Sequence, residues 1–227
     1  MPRRFSVPLL WLKQGAFEMS ITVDELVEAA TVIPVLTVAR LEDAVPLARA
    51  LKAGGLRVIE MTWRTDAALD VLTEMKSAEP DLWIGMGTLR QPKQVKVSLQ
   101  AGADFLVSPG LTRELEVEFQ TAACPVLPGV ATSSEAMQAA NAGFPVLKFF
   151  PAEQAGGLSY LKSLKGPLPE IRFCPTGSIT QALAPDYLAL SNVACVGGSW
   201  IATSALIDAQ DWDAITRNAA AAAAMQS

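Results

Sequence analysis

The 227-residue chain contains no histidine. That absence removes the Ser-His-Asp and Cys-His mechanisms and, with them, the commonest metal ligand. Cysteine is scarce: Cys124, Cys174 and Cys195 stand far apart in the chain, at or inside predicted strands. Such spacing fits reduced, buried thiols in a cytoplasmic protein rather than a disulfide framework or a zinc site. There is no basic run either. The 18 lysines and arginines are scattered through a chain of net charge −5, which argues against a nucleic-acid partner or an anionic membrane surface, so any anion must be bound locally.

Long apolar runs are also missing, and none reaches the length of a membrane-spanning helix. The segment from Met1 to Lys13 has the basic start and short apolar stretch of an export signal. Pro8 interrupts it, Lys13 ends it, and no small-residue cleavage site follows, so no signal peptide is expected. Thr22-Val-Asp-Glu25 has the Thr-x-x-Glu pattern of a capping box and predicts a helix start. Residues 1–18 then read as an extension ahead of one domain over 19–227.

What the chain does have is apolar content, 51% of residues, enough at this length to bury a full core. Barrels of roughly 200–250 residues are routinely single domains. From residue 31, β-branched apolar runs alternate with helical patterns, the signature of βαβ units and a parallel sheet. The runs at 32–36, 57–61, 82–86, 105–108, 125–128, 146–150, 171–174 and 193–196 make eight strand candidates. Eight parallel strands close a ring, so the expected fold is α/β, a TIM (β/α)8 barrel with an N-terminal helix. Ala44, Leu47, Ala48 and Leu51 give one helical stripe, and Leu111, Leu115, Phe119 and Ala122 nearly another. Gly54-Gly55, Gly102 and Gly143 fall where helices should stop, and the tail from Asp211 reads as a closing helix.

In such barrels, chemistry sits at the C-terminal ends of the strands. Lys148 lies inside Val146-Leu-Lys-Phe-Phe150, where an unpaired ammonium would cost several kcal/mol to bury. Desolvation would lower its pKa from about 10.4 and leave a neutral amine able to form a Schiff base with a carbonyl. The competing reading is a lysine that snorkels from an edge or pairs with a carboxylate, and this stretch by itself does not choose. Glu60 is in an equally apolar setting, and the strand period puts Val58, Glu60 and Thr62 on one face. A purely structural ion pair about breaks even against hydrophobic packing, a poor reason for two core charges. The functional reading makes Glu60 the proton shuttle that Schiff-base chemistry needs.

Arg64 shares the parity of Glu60 at the strand mouth, where its fork suits a substrate carboxylate, although taken alone it reads as a surface arginine. Thr176-Gly177-Ser178 after the seventh strand and Gly197-Gly198-Ser199 after the eighth match the phosphate position of these barrels. Either group alone would pass for an ordinary turn.

Seven segments together resemble the 2-keto-3-deoxy-6-phosphogluconate (KDPG) and 4-hydroxy-2-oxoglutarate (KHG) aldolases. They are Glu60-Met-Thr-Trp-Arg-Thr65, Gly85-Met-Gly-Thr88, Val107-Ser-Pro-Gly110, Leu127-Pro-Gly129, Leu147-Lys-Phe-Phe-Pro-Ala-Glu153, Arg172-Phe-Cys-Pro-Thr-Gly177 and Gly197-Gly-Ser-Trp200. They run in unbroken order from about residue 22 to 215. The resemblance implies a class I aldolase, a carbon–carbon lyase without metal or cofactor, cytoplasmic and homotrimeric, acting on a small phosphorylated keto acid. It implies Lys148 as the Schiff-base lysine and Glu60 as general acid/base. Arg64 would bind the pyruvate carboxylate, Thr88 would contact the pyruvate moiety, and Pro109 and Phe150 would wall the site. Thr176 would contact the aldehyde part, while Gly177, Gly198 and Ser199, with neighbouring Ser178 and Gly197, would hold the phosphate. The family usually has a second glycine where this chain has Ser178. A serine there either keeps a strained positive φ or turns to negative φ and adds a hydroxyl donor. Two other readings remain: an isomerase or epimerase using Glu60 as base, and a non-catalytic sugar-phosphate-binding subunit.

Overall fold

The computed structural model describes residues 21–225, so the expected extension over 1–18 lies outside the described residues. The chain opens on the helix Val23–Glu28, whose N-cap Thr22 makes both reciprocal bonds of the capping box with Glu25. Nine parallel strand segments follow: β1 (Val32–Leu36), β2 (Val58–Thr62), β3 (Trp83–Gly87), β4 (Leu106–Val107), β5 (Val126–Leu127), β6 (Gly129–Val130), β7 (Val146–Phe149), β8 (Arg172–Pro175) and β9 (Val196–Gly198). Helices alternate with them, as the sequence pattern required.

The ladder is in two pieces. One sheet has the order β5-β4-β3-β2-β1-β9 and the other β6-β7-β8. The fifth strand candidate, expected over 125–128, stops before Pro128, which has no N–H to donate to a ladder, and a further segment, β6, begins beyond it. The Pro128 carbonyl still accepts from the Lys148 amide at 2.9 Å. Isolated parallel bridges, Phe173 with Val193 and Thr176 with Gly197, carry the order from β8 round to β9. Two joined sheets with nine segments thus stand where eight uninterrupted strands were expected. The last strand begins at Val196, three residues later than its candidate run, after the bridge at Val193.

Two apolar layers result. Outside the sheet, the helix Ala44–Ala53 buries Ala44, Leu47, Ala48 and Leu51, the expected stripe. In the helix Arg113–Gln120 only Leu115 and Phe119 are buried, because it is shorter than the stripe foreseen for it. Gly55, Gly102 and Gly143 all take positive φ just past helix ends, a conformation that costs an L side chain energy and glycine little. Inside the curl, Ile33, Val58, Phe105, Val146, Cys174 and Cys195 pack together with Leu26 and Val27 of the first helix. The first helix therefore plugs the N-terminal end of the sheet. Chemistry is left to the other end.

Candidate active site

Residues two places beyond Val58 and Val146 point the same way, toward the interior and one level nearer the C-terminal mouth. They are Glu60 and Lys148. Each is 4% exposed, and Lys148 Nζ donates to Glu60 Oε1 at 2.8 Å and to Oε2 at 3.1 Å. The ammonium also lies 5.6 Å from the Phe150 ring centroid. The sequence left open whether this lysine snorkels, pairs or reacts. The structure rules out snorkelling and supplies the partner, across 88 residues of chain.

Several neighbours fix this pair. Gly87, whose Cα is partnered with Thr62 in the β2–β3 ladder, leaves the space the carboxylate occupies: a Cβ there would stand 2.1 Å from Glu60 Oε1. Gly129, in register with Lys148, would place a Cβ 2.3 Å from the Pro109 backbone. That close approach brings Pro109, half-buried, to the strand beside the lysine. Arg64 Nε donates to Thr88 Oγ1 at 3.2 Å. Thr88 takes φ +62°, a conformation that a β-branched residue adopts only under restraint.

The distal end is built from the turns after β8 and β9. Thr176 is buried, and glycine at 197 is obligatory beside it, since a Cβ would come within 2.1 Å of Thr176 Oγ1. A cavity of about 100 Å³ is lined by Arg64, Phe150, Thr176, Gly177, Ser178 and Ser199, with Gly197 at its wall. Gly198 does not line it and instead receives the Trp200 ring, 2.4 Å from a Cβ built there. Ser178 keeps positive φ, +58°, the first of its two alternatives, at a cost of roughly 1–2 kcal/mol. A larger open cleft of about 460 Å³ lies at the N-terminal end between Ile21 and Pro145. No charged side chain lines it, so the smaller cavity, with Arg64 and the paired turns, is the better anion site.

The three cysteines are free. Cys174 and Cys195 lie side by side in the interior layer, where the hydrogen bond with the Cys174 sulfur, and then burial, push the Cys195 thiol well above its ordinary value. Half-buried Cys124 precedes β5 instead of lying in it, and burial pushes its thiol up to about 12. Among the described residues no group of three metal-ligating side chains forms, and no helix is long and apolar enough to cross a membrane.

Sequence reasoning missed two residues. Gly87 was visible only as part of a segment: the register pairs it with Thr62 and Glu60 with Gly85, so nothing in the sequence marked it as the residue that makes room for the carboxylate. Gln154, whose side chain reaches Ser178, carried no signal at all.

A family model described as KDPG and KHG aldolase matches residues 23–218. The KHG/KDPG aldolase of Escherichia coli (strain K12) is 42% identical over 194 residues, 86% of this chain and 91% of that protein. The KDPG aldolase of Legionella pneumophila, solved with pyruvate captured at low pH as a covalent carbinolamine intermediate, is 44% identical. It superposes with a TM-score of 0.85 over 90% of this chain and 98% of its own. The aldolase of Zymomonas mobilis ZM4, solved with 3-phosphoglycerate, is 41% identical with a TM-score of 0.85 over 89% and 95% of the two chains.

Proposed function

The chain belongs to the KDPG and KHG aldolase family, and from that premise we infer how its own residues perform a class I aldol cleavage. The substrate is 2-keto-3-deoxy-6-phosphogluconate, cleaved to pyruvate and glyceraldehyde 3-phosphate, with 4-hydroxy-2-oxoglutarate, cleaved to pyruvate and glyoxylate, as a second one. The observation that carries the mechanism is the buried contact of Lys148 Nζ with Glu60 Oε1 at 2.8 Å. A proton passed along it leaves a neutral amine and a neutral acid, the two forms that carbonyl addition requires.

Lys148 adds to the C2 carbonyl, and the carbonyl oxygen takes a proton from Glu60 to give the carbinolamine. Loss of water gives the iminium. The C3–C4 bond then breaks: its electron pair moves into the iminium to form an enamine, the C4 hydroxyl yields its proton to the Glu60 carboxylate, and the aldehyde leaves. Protonation of the enamine at C3, with Glu60 acting through water, gives the pyruvate imine, and hydrolysis frees pyruvate and Lys148. Arg64 holds the pyruvate carboxylate, with Thr88 beside it, and Pro109 and Phe150 wall the reacting carbons. Thr176 faces the aldehyde portion. Gly177, Ser178, Gly197, Gly198 and Ser199 form the phosphate end, and the cavity that most of them share with Arg64 supports this reading.

Residues 19–227 are read as one domain, cytoplasmic and needing no cofactor, that assembles as a homotrimer. Sedimentation should give three times the 24.1 kDa chain mass, and a monomer would refute the assembly. The isomerase and silent-subunit readings predict no covalent species. Borohydride with pyruvate should inactivate the protein and leave one reduced pyruvyl adduct on Lys148. Pyruvate release from both keto acids should favour the phosphorylated one. No adduct, or an adduct on Lys162 or Lys165, overturns the mechanism.

A further inference from the structure

The turn that leaves the lysine strand runs alongside the turn proposed to hold phosphate. Ala152 N donates to Thr176 O at 2.8 Å and Glu153 N to Gly177 O at 3.4 Å. The Glu153 carboxylate accepts from the buried Tyr187 hydroxyl, and Ala155 N returns to Pro151 O at 2.9 Å. The residue between these anchors is Gln154, so its backbone is held from both sides. Its side-chain Nε2 donates to Ser178 Oγ at 2.8 Å.

Ser178 stands at φ +58° after Gly177 at φ +114°. A serine at such a φ is disfavoured, and burial gives it nothing here, because the residue is exposed at the cavity rim. The polarity of its hydrogen bond gives it a use. An Oγ that accepts from an amide N–H must turn its own proton elsewhere, and a hydroxyl has only that one proton to give. The side left open to it includes the cavity that Ser178 lines with Arg64, Gly177 and Ser199.

We propose that Gln154 is a positioning residue for the distal oxyanion: by donating to Ser178 Oγ it aims the Ser178 hydroxyl proton at the phosphate of the substrate. This inference rests on the phosphate end assigned above. The pair favours a tetrahedral dianion, which has acceptor oxygens to spare, over the smaller planar carboxylate of hydroxyoxoglutarate. Gln154 touches no reacting atom, and its effect is carried by KM, because the phosphate is held alike in ground and transition states.

The test uses four proteins: wild type, Gln154→Ala, Ser178→Gly and the double variant. Each is assayed for kcat and KM on both keto acids and for competitive inhibition by inorganic phosphate. Gln154→Ala should lower kcat/KM for the phosphorylated substrate at least threefold more than for hydroxyoxoglutarate, through KM, and weaken phosphate inhibition in parallel. In the Ser178→Gly background the same substitution should change neither quantity by as much as 1.5-fold, within the scatter expected of an uncoupled pair (about 0.3 kcal/mol). A loss that is equal on both substrates, appears in kcat, or persists without the serine hydroxyl makes Gln154 a structural tether and overturns the proposal. A wild type that releases pyruvate only from hydroxyoxoglutarate, with no phosphate inhibition, overturns the phosphate end and the pair together. Normal cleavage of the phosphorylated substrate with additive variants overturns the pair alone.

Discussion

Burying Glu60 and Lys148 costs several kcal/mol per ion, and the 2.8 Å contact between them offsets that cost only while both are present. The arrangement is a poor way to stabilise a core and a good way to keep a proton within reach of two reacting groups. Glu60→Gln should leave the chain folded, since an amide of the same shape still accepts a hydrogen bond from Lys148. Cleavage should fall roughly 10²–10⁴-fold, the range for loss of a general acid/base. Exchange of pyruvate methyl protons with solvent, followed by NMR, should fall with it, and near-normal exchange would assign the proton shuttle elsewhere. Both residues were legible in the sequence for one reason: a charge inside an apolar run has no inexpensive bland explanation. Arg64 and Thr88 were not legible in that way. A strand-end arginine is ordinary, and nothing in the letter sequence marks a threonine that will be held at φ +62°.

At the scale of the strand, the glycines of β3 matter as much as the one charge of β2. Gly85 accommodates the Phe105 ring, and Gly87 accommodates the Glu60 carboxylate itself. Gly87→Ala puts a methyl into the space of Oε1, and the end of a side chain yields more readily than backbone. The fold should therefore survive, with a melting temperature near that of wild type, while the carboxylate swings off the lysine. Activity should fall at least tenfold, and borohydride trapping should slow with it. An active Gly87→Ala variant would show that the carboxylate position is not demanding. The alternation of strand and helix was readable from periodicity, and capping and glycine stops set several helix ends correctly. The segment beyond Pro128 is not legible in the sequence, because a proline closing a short apolar run reads as a strand end and here lies between two segments. The late start of β9 was hidden for another reason: the Val193–Val196 run is apolar because Val193 and Val196 pack in the outer layer and Cys195 in the interior one, and only its last residue enters the continuous ladder.

For the molecule as a whole, the two ladder pieces have a mechanical consequence. Glu60 belongs to the six-stranded piece and Lys148 to the three-stranded one, so their buried ion pair is also a rivet between parts that share few continuous backbone bonds. Regions joined weakly by backbone bonds tend to open as separate cooperative units, each with its own opening free energy. Native-state hydrogen exchange should show the amides of β6, β7 and β8 opening together below the free energy of the β1–β4 amides. Lys148→Met, which withdraws the rivet and strands a carboxylate, should widen that gap; uniform exchange across both pieces in wild type and variant would mean that the seams are silent. If the gap is there, and Lys148 is the proposed Schiff-base lysine, every turnover also changes how firmly the two halves are clamped, and substrate occupancy becomes a determinant of how long the enzyme resists proteolysis in a cell.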